Sequence, residues 1–143
     1  MVVPTLIGSP RGIEMLLEGL EVRYLANRDP NVLFALLTDF RDADQEHLPG
    51  DESLVEQAAA GICALNSKYQ GDRPCIFFLF HRPRLWNERE RVWMGYERKR
   101  GKLGDFNRFL RGGSRDCFAR IEGDLSALPP VKYVENKDHI TST

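Results

Sequence analysis

The side chains best suited to chemistry in this chain lie where its apolar segments end. Asp39 comes soon after the continuous apolar run Val32–Leu37, and His81 directly follows the apolar run Cys75–Phe80. Thr5 closes a short apolar segment at the start of the chain. Parallel sheets bind ligands at the carboxyl ends of their strands, because side chains from several strands meet there. The pattern therefore predicts a ligand site at one edge of a sheet.

A second feature is the uneven distribution of charge. The whole chain has a formal net charge of −1. Residues 82–115, which we call the basic stretch, contain eleven basic and four acidic side chains, so they have a net charge of +7 and the remainder has −8. This concentration of positive charge favours an anionic partner such as a phosphate group, a nucleic acid or a membrane surface. A solvated basic face is the alternative.

The common phosphate and metal motifs are not matched by this sequence. Five residues instead of four separate Gly95 from Gly101, and Leu103 stands where a P-loop needs serine or threonine. The histidines have no partner at metal-ligand spacing; they are His47, His81 and His139. Asp39, Asp42 and Asp44 form an acidic cluster that is typical of a solvated loop, with a divalent-cation site as the alternative.

Three helices are predicted to position these side chains. Ser9-Pro10 begins the first, because serine is a favourable N-cap and proline suits the first turn. The capping-box pattern Ser53–Glu56 predicts the second, and Leu103–Leu110 predicts the third, ended by Gly112-Gly113. The predicted buried stripes of the first two helices are Ile13, Leu16, Leu17, Leu20 and Tyr24, and Leu54, Ala58, Ile62 and Leu65.

Strands are predicted between these helices, from the apolar segments described above. A last strand is predicted at Val131–Val134, and residues 81–101 are predicted to form a long loop with room for a hairpin. Because strands and helices alternate along the chain, we expect an α/β fold with a layered sheet and right-handed crossovers.

Length and composition are typical of one folded domain. The 143 residues leave room for one sizeable core, and no apolar run reaches the length of a membrane span. The first residues lack a basic leader, so we expect no signal peptide. The cysteines are three in number and far apart, which suits a reducing compartment better than a disulfide framework; they are Cys63, Cys75 and Cys117.

Seven segments of the chain form an unusual set of motifs. They are Val3-Pro4-Thr5, Leu20–Asn27, Phe34–Phe40, Trp86-Asn87, Trp93–Leu103, Phe106-Asn107 and Leu110-Arg111-Gly112. Together they resemble the central glycosyltransferase region of bacterial cyclic β-1,2-glucan synthetases. The resemblance covers about residues 2–134, nearly the whole chain.

The resemblance implies a partial fold of the Rossmann-like GT-A type, the nucleotide-sugar-binding half of family 2 glycosyltransferases, with a mostly parallel sheet flanked by helices. In those enzymes the first strand ends against the nucleotide, and the second ends in an acidic residue that recognises uracil or ribose. A later element, similar to Gly101–Asn107 here, lines the nucleotide-sugar site. The binding residues implied by the resemblance are Pro4, Thr5, Asp39, Arg98, Lys99, Gly101, Lys102 and Asn107.

The resemblance also implies an activity and partners for the intact protein. It would be a large protein of the bacterial inner membrane that uses UDP-glucose on the cytoplasmic side and builds a β-1,2-glucan with inversion at the anomeric carbon. The implied partners are UDP-glucose, a glucan acceptor and the remainder of a longer polypeptide. A sheet without its later strands exposes an edge or an apolar face, so we also expect this soluble piece to form a homodimer.

The residue types fit these roles on chemical grounds. Lysine and arginine neutralise a diphosphate, and glycine allows the backbone a close approach. A carboxylate accepts hydrogen bonds from the N–H of uracil or from ribose hydroxyls. Other roles stay open: Asp39 as a strand-end cap, and Lys102 as a surface lysine. Trp86 and Trp93 are predicted to be structural anchors rather than sugar-stacking platforms.

An Asp-x-Asp motif, which holds a divalent metal in family 2-like enzymes, does not follow Val131–Val134. Asp42-Ala43-Asp44 matches the Asp-x-Asp pattern, but it follows an earlier strand than the one that precedes the motif in those enzymes. We therefore predict a nucleotide-sugar-binding part over residues 1–134 and a non-native or disordered tail over residues 135–143. We expect no catalytic residue, metal ligand or cofactor in this chain, a Mg²⁺ or Mn²⁺ ion in the intact enzyme, and no activity of the chain alone.

Two alternatives from other functional classes stay open. A basic nucleic-acid-binding module is one, because aromatic side chains interleave with the basic ones; they are Trp86, Trp93, Tyr96, Phe106 and Phe109. No recognition-motif signature accompanies them, so the favoured interpretation has no nucleic-acid partner. The second alternative is a noncatalytic interaction domain that keeps the glycosyltransferase shape.

Overall fold

Strands and helices alternate through most of the chain. A computed structural model describes residues 1–71, 75–95, 98–113 and 115–127, with the backbone alone at residues 98–100 and 127. In chain order the elements are β1 (Val2–Ile7), α1 (Pro10–Ala26), β2 (Phe34–Phe40), α2 (Asp51–Lys68), β3 (Phe77–His81), β4 (Leu85–Asn87), β5 (Val92–Met94), α3 (Arg98–Leu110) and β6 (Arg120–Glu122), followed by a 3₁₀ turn at Leu125–Ala127.

Four strands form one sheet, in the order β1-β2-β3-β6. The first three run parallel, and β6 lies antiparallel beside β3. Every residue of β2 and β3 is buried, which is the pattern of strands covered on both faces. The prediction of an α/β fold with a mostly parallel sheet flanked by helices is therefore confirmed.

Helices cover both faces of this sheet. α1 and α2 pack on one face around Ile13, Leu20, Phe34, Leu36, Ile62, Phe77 and Leu79. α3 packs on the other face around Leu37, Phe78, Phe80, Phe106 and Phe118. Because successive side chains of a strand point to opposite faces, Asp39 lies on the α3 side of the sheet and Thr38 on the α1/α2 side.

α1 begins as the sequence predicts. The Ser9 hydroxyl accepts a hydrogen bond from the backbone N–H of Gly12 at 3.0 Å, and Pro10 occupies the first helical position. Ile13, Leu20 and Tyr24 are buried along one side. Each cap contact of this kind stabilises a helix by about 1 kcal/mol, while burial of the apolar stripe fixes which side faces the sheet.

The predicted start of α2 is wrong by three residues. The helix begins at Asp51 rather than after Ser53, and its N-cap is Gly50, whose φ is +91°. Asp51 and Glu52 occupy the first turn, where carboxylates interact favourably with the helix dipole. The Asp51 carboxylate also accepts from the Leu48 backbone N–H at 2.8 Å. The acidic residues thus begin the helix ahead of the capping-box serine, and the predicted buried stripe is confirmed.

The basic stretch folds into a hairpin followed by a helix. β4 and β5 pair antiparallel, so the predicted hairpin is confirmed. α3 begins at Arg98, five residues before the predicted Leu103. The prediction relied on apolar periodicity, whereas the first turn consists of arginine and lysine, which are good helix formers. As predicted, α3 ends at Leu110, just before Gly112, whose φ is +90°.

The end of the chain was predicted least well. β6 was not predicted, because it is only three residues long and has charged residues at both ends, so it lacks an apolar run. The predicted strand Val131–Val134 and the predicted tail over residues 135–143 lie outside the described residues. None of α1, α2 and α3 combines the length and the apolar character that a helix needs to cross a bilayer.

Candidate functional site

A cleft of about 410 Å³ lies near the carboxyl ends of β1 and β2. α3 and the residue after β5 complete its walls. The lining residues are Pro4, Thr5, Leu6, Asp39, Phe40, Asp42, Gly95 and Lys102. Pro4, Thr5, Asp39 and Lys102, all singled out from the sequence, therefore line one cleft.

Asp39 is the penultimate residue of β2, and its side chain is buried. Arg82, which directly follows β3, binds this carboxylate with two parallel hydrogen bonds. Nε donates to Oδ1 over 2.8 Å, and Nη2 donates to Oδ2 over 3.1 Å. Paired guanidinium–carboxylate contacts are strong and fix the mutual orientation of the two groups. Asp39 is therefore held in one orientation beside the cleft.

Lys102 lies in the second turn of α3 and is buried. Its Nζ donates to the backbone carbonyl of Thr5 over 2.9 Å and lies 3.4 Å from Oδ2 of Asp39. These contacts join the ends of β1 and β2 to α3. The alternative that Lys102 is a surface lysine is therefore wrong.

The other predicted site residues differ in how close they come to the cleft. Thr5 takes part through its backbone carbonyl rather than through its hydroxyl. Gly101 is buried in α3 and Asn107 is half-buried further along it, and neither lines the cleft. Arg98 and Lys99 belong to the first turn of α3, and their side chains lie outside the described part of the structure.

Sequence reasoning missed Arg82 and Asp105. The remaining donor of Arg82, Nη1, donates to Oδ2 of Asp105 over 2.8 Å, so one guanidinium bridges the sheet to α3. Burial disfavours the charged guanidinium, but its bonds to Asp39 and Asp105 outweigh burial and raise the pKa of Arg82. Both residues had a signal in the sequence. A buried strand-end carboxylate needs a cationic partner, and Asp105 lies one helical turn after Lys102.

Gly95 allows the chain to pass directly over the Asp39–Arg82 pair. A Cβ atom at this position would lie 2.5 Å from Oδ2 of Asp39 and 2.9 Å from Nη2 of Arg82. These distances are far below van der Waals contact, and the obstructing atoms belong to a buried ion pair. The geometry of the cleft therefore requires a residue without a side chain here.

His81 does not share the site. It packs on the α1/α2 side of the sheet, where Nδ1 lies 2.7 Å from Oγ1 of Thr38 and the ring contacts Phe40 edge-on at 4.4 Å between centroids. Burial lowers its pKa to about 4, so the imidazole is neutral at pH 7. Its Nε2 has no hydrogen-bond partner in the described part of the chain.

The described residues do not fit a metal ion. None of them forms a group of three or more histidine, cysteine, aspartate or glutamate side chains that could hold one. Asp42 lines the cleft, whereas Asp44 is exposed on the loop beside it.

The chemistry available in the cleft is hydrogen-bond recognition by a fixed carboxylate. A carboxylate offers about four acceptor positions. Arg82 uses one on each oxygen of Asp39, and the Lys102 ammonium approaches Oδ2 as well. About one acceptor position is left for a ligand. The cleft can thus accept one hydrogen bond at Asp39 from a ligand whose N–H or O–H is directed at it.

Comparison with known proteins agrees with the motifs. The chain is 43% identical over 141 residues, or 99% of its length, to the protein described as Cyclic beta-(1,2)-glucan synthase NdvB from Rhizobium meliloti (strain 1021). The resemblance to cyclic β-1,2-glucan synthetases is confirmed. The chain spans about 5% of the length of that relative, so the similarity is to one stretch of a much larger protein. No family model matches the chain.

Proposed function

We propose that this chain is the nucleotide-recognising portion of a glycosyltransferase that transfers glucose from UDP-glucose to a growing β-1,2-glucan. The observation that carries the proposal is the meeting of Asp39 and Lys102 in one cleft at the strand ends. Rossmann-like sheets bind nucleotides at this edge. The similarity to part of a cyclic glucan synthase supports the choice of substrate.

Asp39 recognises the uracil base rather than the ribose in this proposal. Uracil has one imide N–H, which matches the single acceptor position left on the carboxylate. Two ribose hydroxyls need two acceptor positions, and Arg82 and Lys102 already use the others. The count of acceptors therefore favours the base over the ribose.

The diphosphate lies toward the first turn of α3 in this proposal. Arg98 and Lys99 belong to this turn, and Gly101 and Lys102 follow directly. Backbone N–H groups at a helix N-terminus and basic side chains both attract phosphate oxygens. Pro4 and Thr5 also line the cleft. Asn107 lies further along α3 and does not line the cleft, so its assignment to the nucleotide-sugar site depends on the resemblance alone.

The transfer itself needs groups that the described residues do not supply. We propose that a divalent cation, Mg²⁺ or Mn²⁺, is held elsewhere in the longer protein, as are the catalytic base and the acceptor site. The residues of this chain contribute nucleotide binding in this proposal. The chain by itself binds the nucleotide and is catalytically inactive in this proposal.

The proposal also covers the partners of the chain and the cellular location of the intact protein. Its partners are UDP-glucose, the remainder of the longer polypeptide and, through that polypeptide, the glucan acceptor. The intact protein acts at the cytoplasmic side of the bacterial inner membrane. The small share of the relative that this chain spans, about 5%, supports a role as one piece of a larger enzyme.

Calorimetric titration of the chain with UDP, UDP-glucose and CDP tests the proposal. Uracil carries a hydrogen at N3, whereas cytosine N3 is a bare acceptor that a carboxylate repels. We therefore expect UDP to bind more tightly than CDP by about tenfold. Asp39→Asn removes the charge that selects the imide and abolishes this preference. Asp44→Asn, which changes an exposed carboxylate in the loop after β2, leaves it unchanged.

A second pair of variants keeps every charge in place. Gly95→Ala inserts a methyl group against the Asp39–Arg82 pair and is expected to weaken UDP binding. Gly104→Ala places a methyl group in α3 no closer than 3.6 Å to its nearest neighbour and leaves binding intact. Circular dichroism confirms folding before each titration.

Two other outcomes of the titration would contradict the proposal. Salt-sensitive binding of oligonucleotides without preference for uridine would identify a nucleic-acid-binding module. Absence of both nucleotide and oligonucleotide binding by the folded chain would identify an interaction domain that keeps the glycosyltransferase shape.

A further inference from the structure

Charges of alternating sign run from the cleft to the surface on the α3 side of the sheet. Arg82 donates to two carboxylates: Nε and Nη2 donate to Asp39, and Nη1 donates to Asp105 over 2.8 Å. The other oxygen of Asp105 accepts a hydrogen bond from the guanidinium of Arg108. Asp105 therefore lies behind Arg82, on the side away from Asp39.

Burial falls steeply along this series. The side chain of Arg82 is 2% exposed, that of Asp105 is 12% exposed and that of Arg108 is 71% exposed. Because Arg82 is buried, bulk water does not take the place of a carboxylate that is removed from its donors. Its orientation thus depends on both carboxylates, because a guanidinium is rigid and its donors point in fixed directions.

Asp105 is absent from the residues that line the cleft, so it reaches a ligand only through other side chains. We propose that Asp105 is a positioning residue that holds Arg82 so that the carboxylate of Asp39 presents its remaining acceptor position to the base. The inference rests on the proposed function of the cleft and adds to it a residue that sets base selectivity.

The mechanism of positioning follows from the geometry. Nη1 anchors the guanidinium plane to α3, and Nε and Nη2 then fix the carboxylate plane of Asp39. Without Asp105 the plane can turn, the two-donor contact with Asp39 is lost, and Lys102 at 3.4 Å becomes the main partner of the carboxylate. The acceptor left for the ligand then points elsewhere.

The first test measures base selectivity in the full chain. In Asp105→Ala we expect the preference for UDP over CDP to fall about tenfold, with a smaller fall in Asp105→Asn, which keeps a neutral acceptor. Arg108→Ala is the matched control, because it removes only the exposed partner of Asp105, and its preference stays that of the wild type. A parallel loss of UDP and CDP binding and of thermal stability, with their ratio unchanged, would show a merely structural role and overturn the inference.

The second test needs no ligand. The Nε–H signal of Arg82, observed by NMR in ¹⁵N-arginine-labelled chain, reports the hydrogen bond to Asp39. We expect a signal protected from exchange with water in the wild type and in Arg108→Ala. In Asp105→Ala we expect a shifted Nε–H signal that exchanges with water faster than in the wild type. Should Asp105→Ala fail to fold, Asp105→Asn provides the same measurement.

The two tests separate the failure of the inference from that of the proposed function. An Arg82 Nε–H signal that is unchanged in the Asp105 variants overturns the inference, even if UDP binds as expected. A wild-type chain that binds UDP and CDP equally overturns the proposed function and, with it, the effect on base selectivity, even if the Arg82 signal responds.

Discussion

At the scale of single residues, buried charge defines the cleft. Asp39, Arg82 and Lys102 are all buried, although charged side chains are rarely buried unless they are paired. Removing one partner of a buried ion pair typically costs about 3–5 kcal/mol, because the other charge is left without compensation. These three residues therefore depend on one another, and single substitutions among them report on the whole group.

His81 is a second buried ionisable group, and it predicts a pH dependence of stability. Its pKa is about 4 in the folded chain, because burial disfavours the imidazolium, and 6.5 in the unfolded chain. The unfolded state therefore takes up the proton first as the pH falls. Protonation of His81 does not affect the free energy of unfolding above about pH 6.5. The free energy of unfolding then falls as the pH declines toward 4, by about 3 kcal/mol in all.

Urea unfolding at pH values from 7 to 4.5 measures this decline. In His81→Gln, which has no imidazole to protonate, the slope between pH 6.5 and 5 is expected to flatten. His47→Gln, which replaces an exposed histidine, is the matched control. Equal slopes in the wild type and His81→Gln would show that His81 is not the group responsible.

At the scale of elements, Arg84 ties the segment after β3 to the loop before α2. Its Nε donates to the carbonyl of Arg41 over 2.8 Å, and its Nη1 donates to Oδ2 of Asp51 over 2.6 Å. The guanidinium also lies 4.6 Å above the ring of Phe40. Burial raises the pKa of Asp51, but the hydrogen bonds from Arg84 and the Leu48 backbone N–H, with the nearby positive charge, together outweigh burial and lower the pKa. One side chain therefore positions both the loop and the first turn of α2.

Arg84→Lys is expected to destabilise the chain by about 2 kcal/mol, because a lysine cannot reproduce the rigid set of donors or the contact with the ring. Chemical denaturation measures the loss. Arg89→Lys, at an exposed position of the β4–β5 hairpin, changes stability by less than about 0.5 kcal/mol. Similar losses in the two variants would mean that Arg84 does not organise the start of α2.

At the scale of the whole molecule, β1 is an edge of the described sheet. It pairs with β2 alone among the described strands, and its Leu6 is 53% exposed. An open parallel edge beside an exposed apolar side chain favours pairing with another chain. We therefore expect this chain to self-associate through the β1 edge.

Light scattering at increasing concentration is expected to show a dimer or a larger species. Leu6→Lys places a charge on the edge strand and shifts the equilibrium toward the monomer. Val22→Lys is the matched control and leaves the equilibrium unchanged, since Val22 is an exposed apolar residue on α1, which packs on the face of the sheet opposite to Leu6. A monomer at high concentration in the wild type would contradict the prediction.

Local signals in the sequence predicted much of this architecture. The apolar runs became β2 and β3, and Ser9-Pro10 begins α1 as expected. Prediction failed where the local signal was weak or ambiguous. β6 is too short to show periodicity, and α2 begins two residues before its apparent capping box.

The sequence by itself determined the layered α/β class and placed Asp39 near a strand end and Lys102 in a later, basic element. These properties depend on periodicity and residue type, which neighbouring residues reveal. Only the tertiary structure decided that Arg82 and Asp105 complete a buried network with them and that His81 faces the other side of the sheet. The reason is physical: a buried charge selects partners by distance in space, and the register between strands and α3 sets that distance.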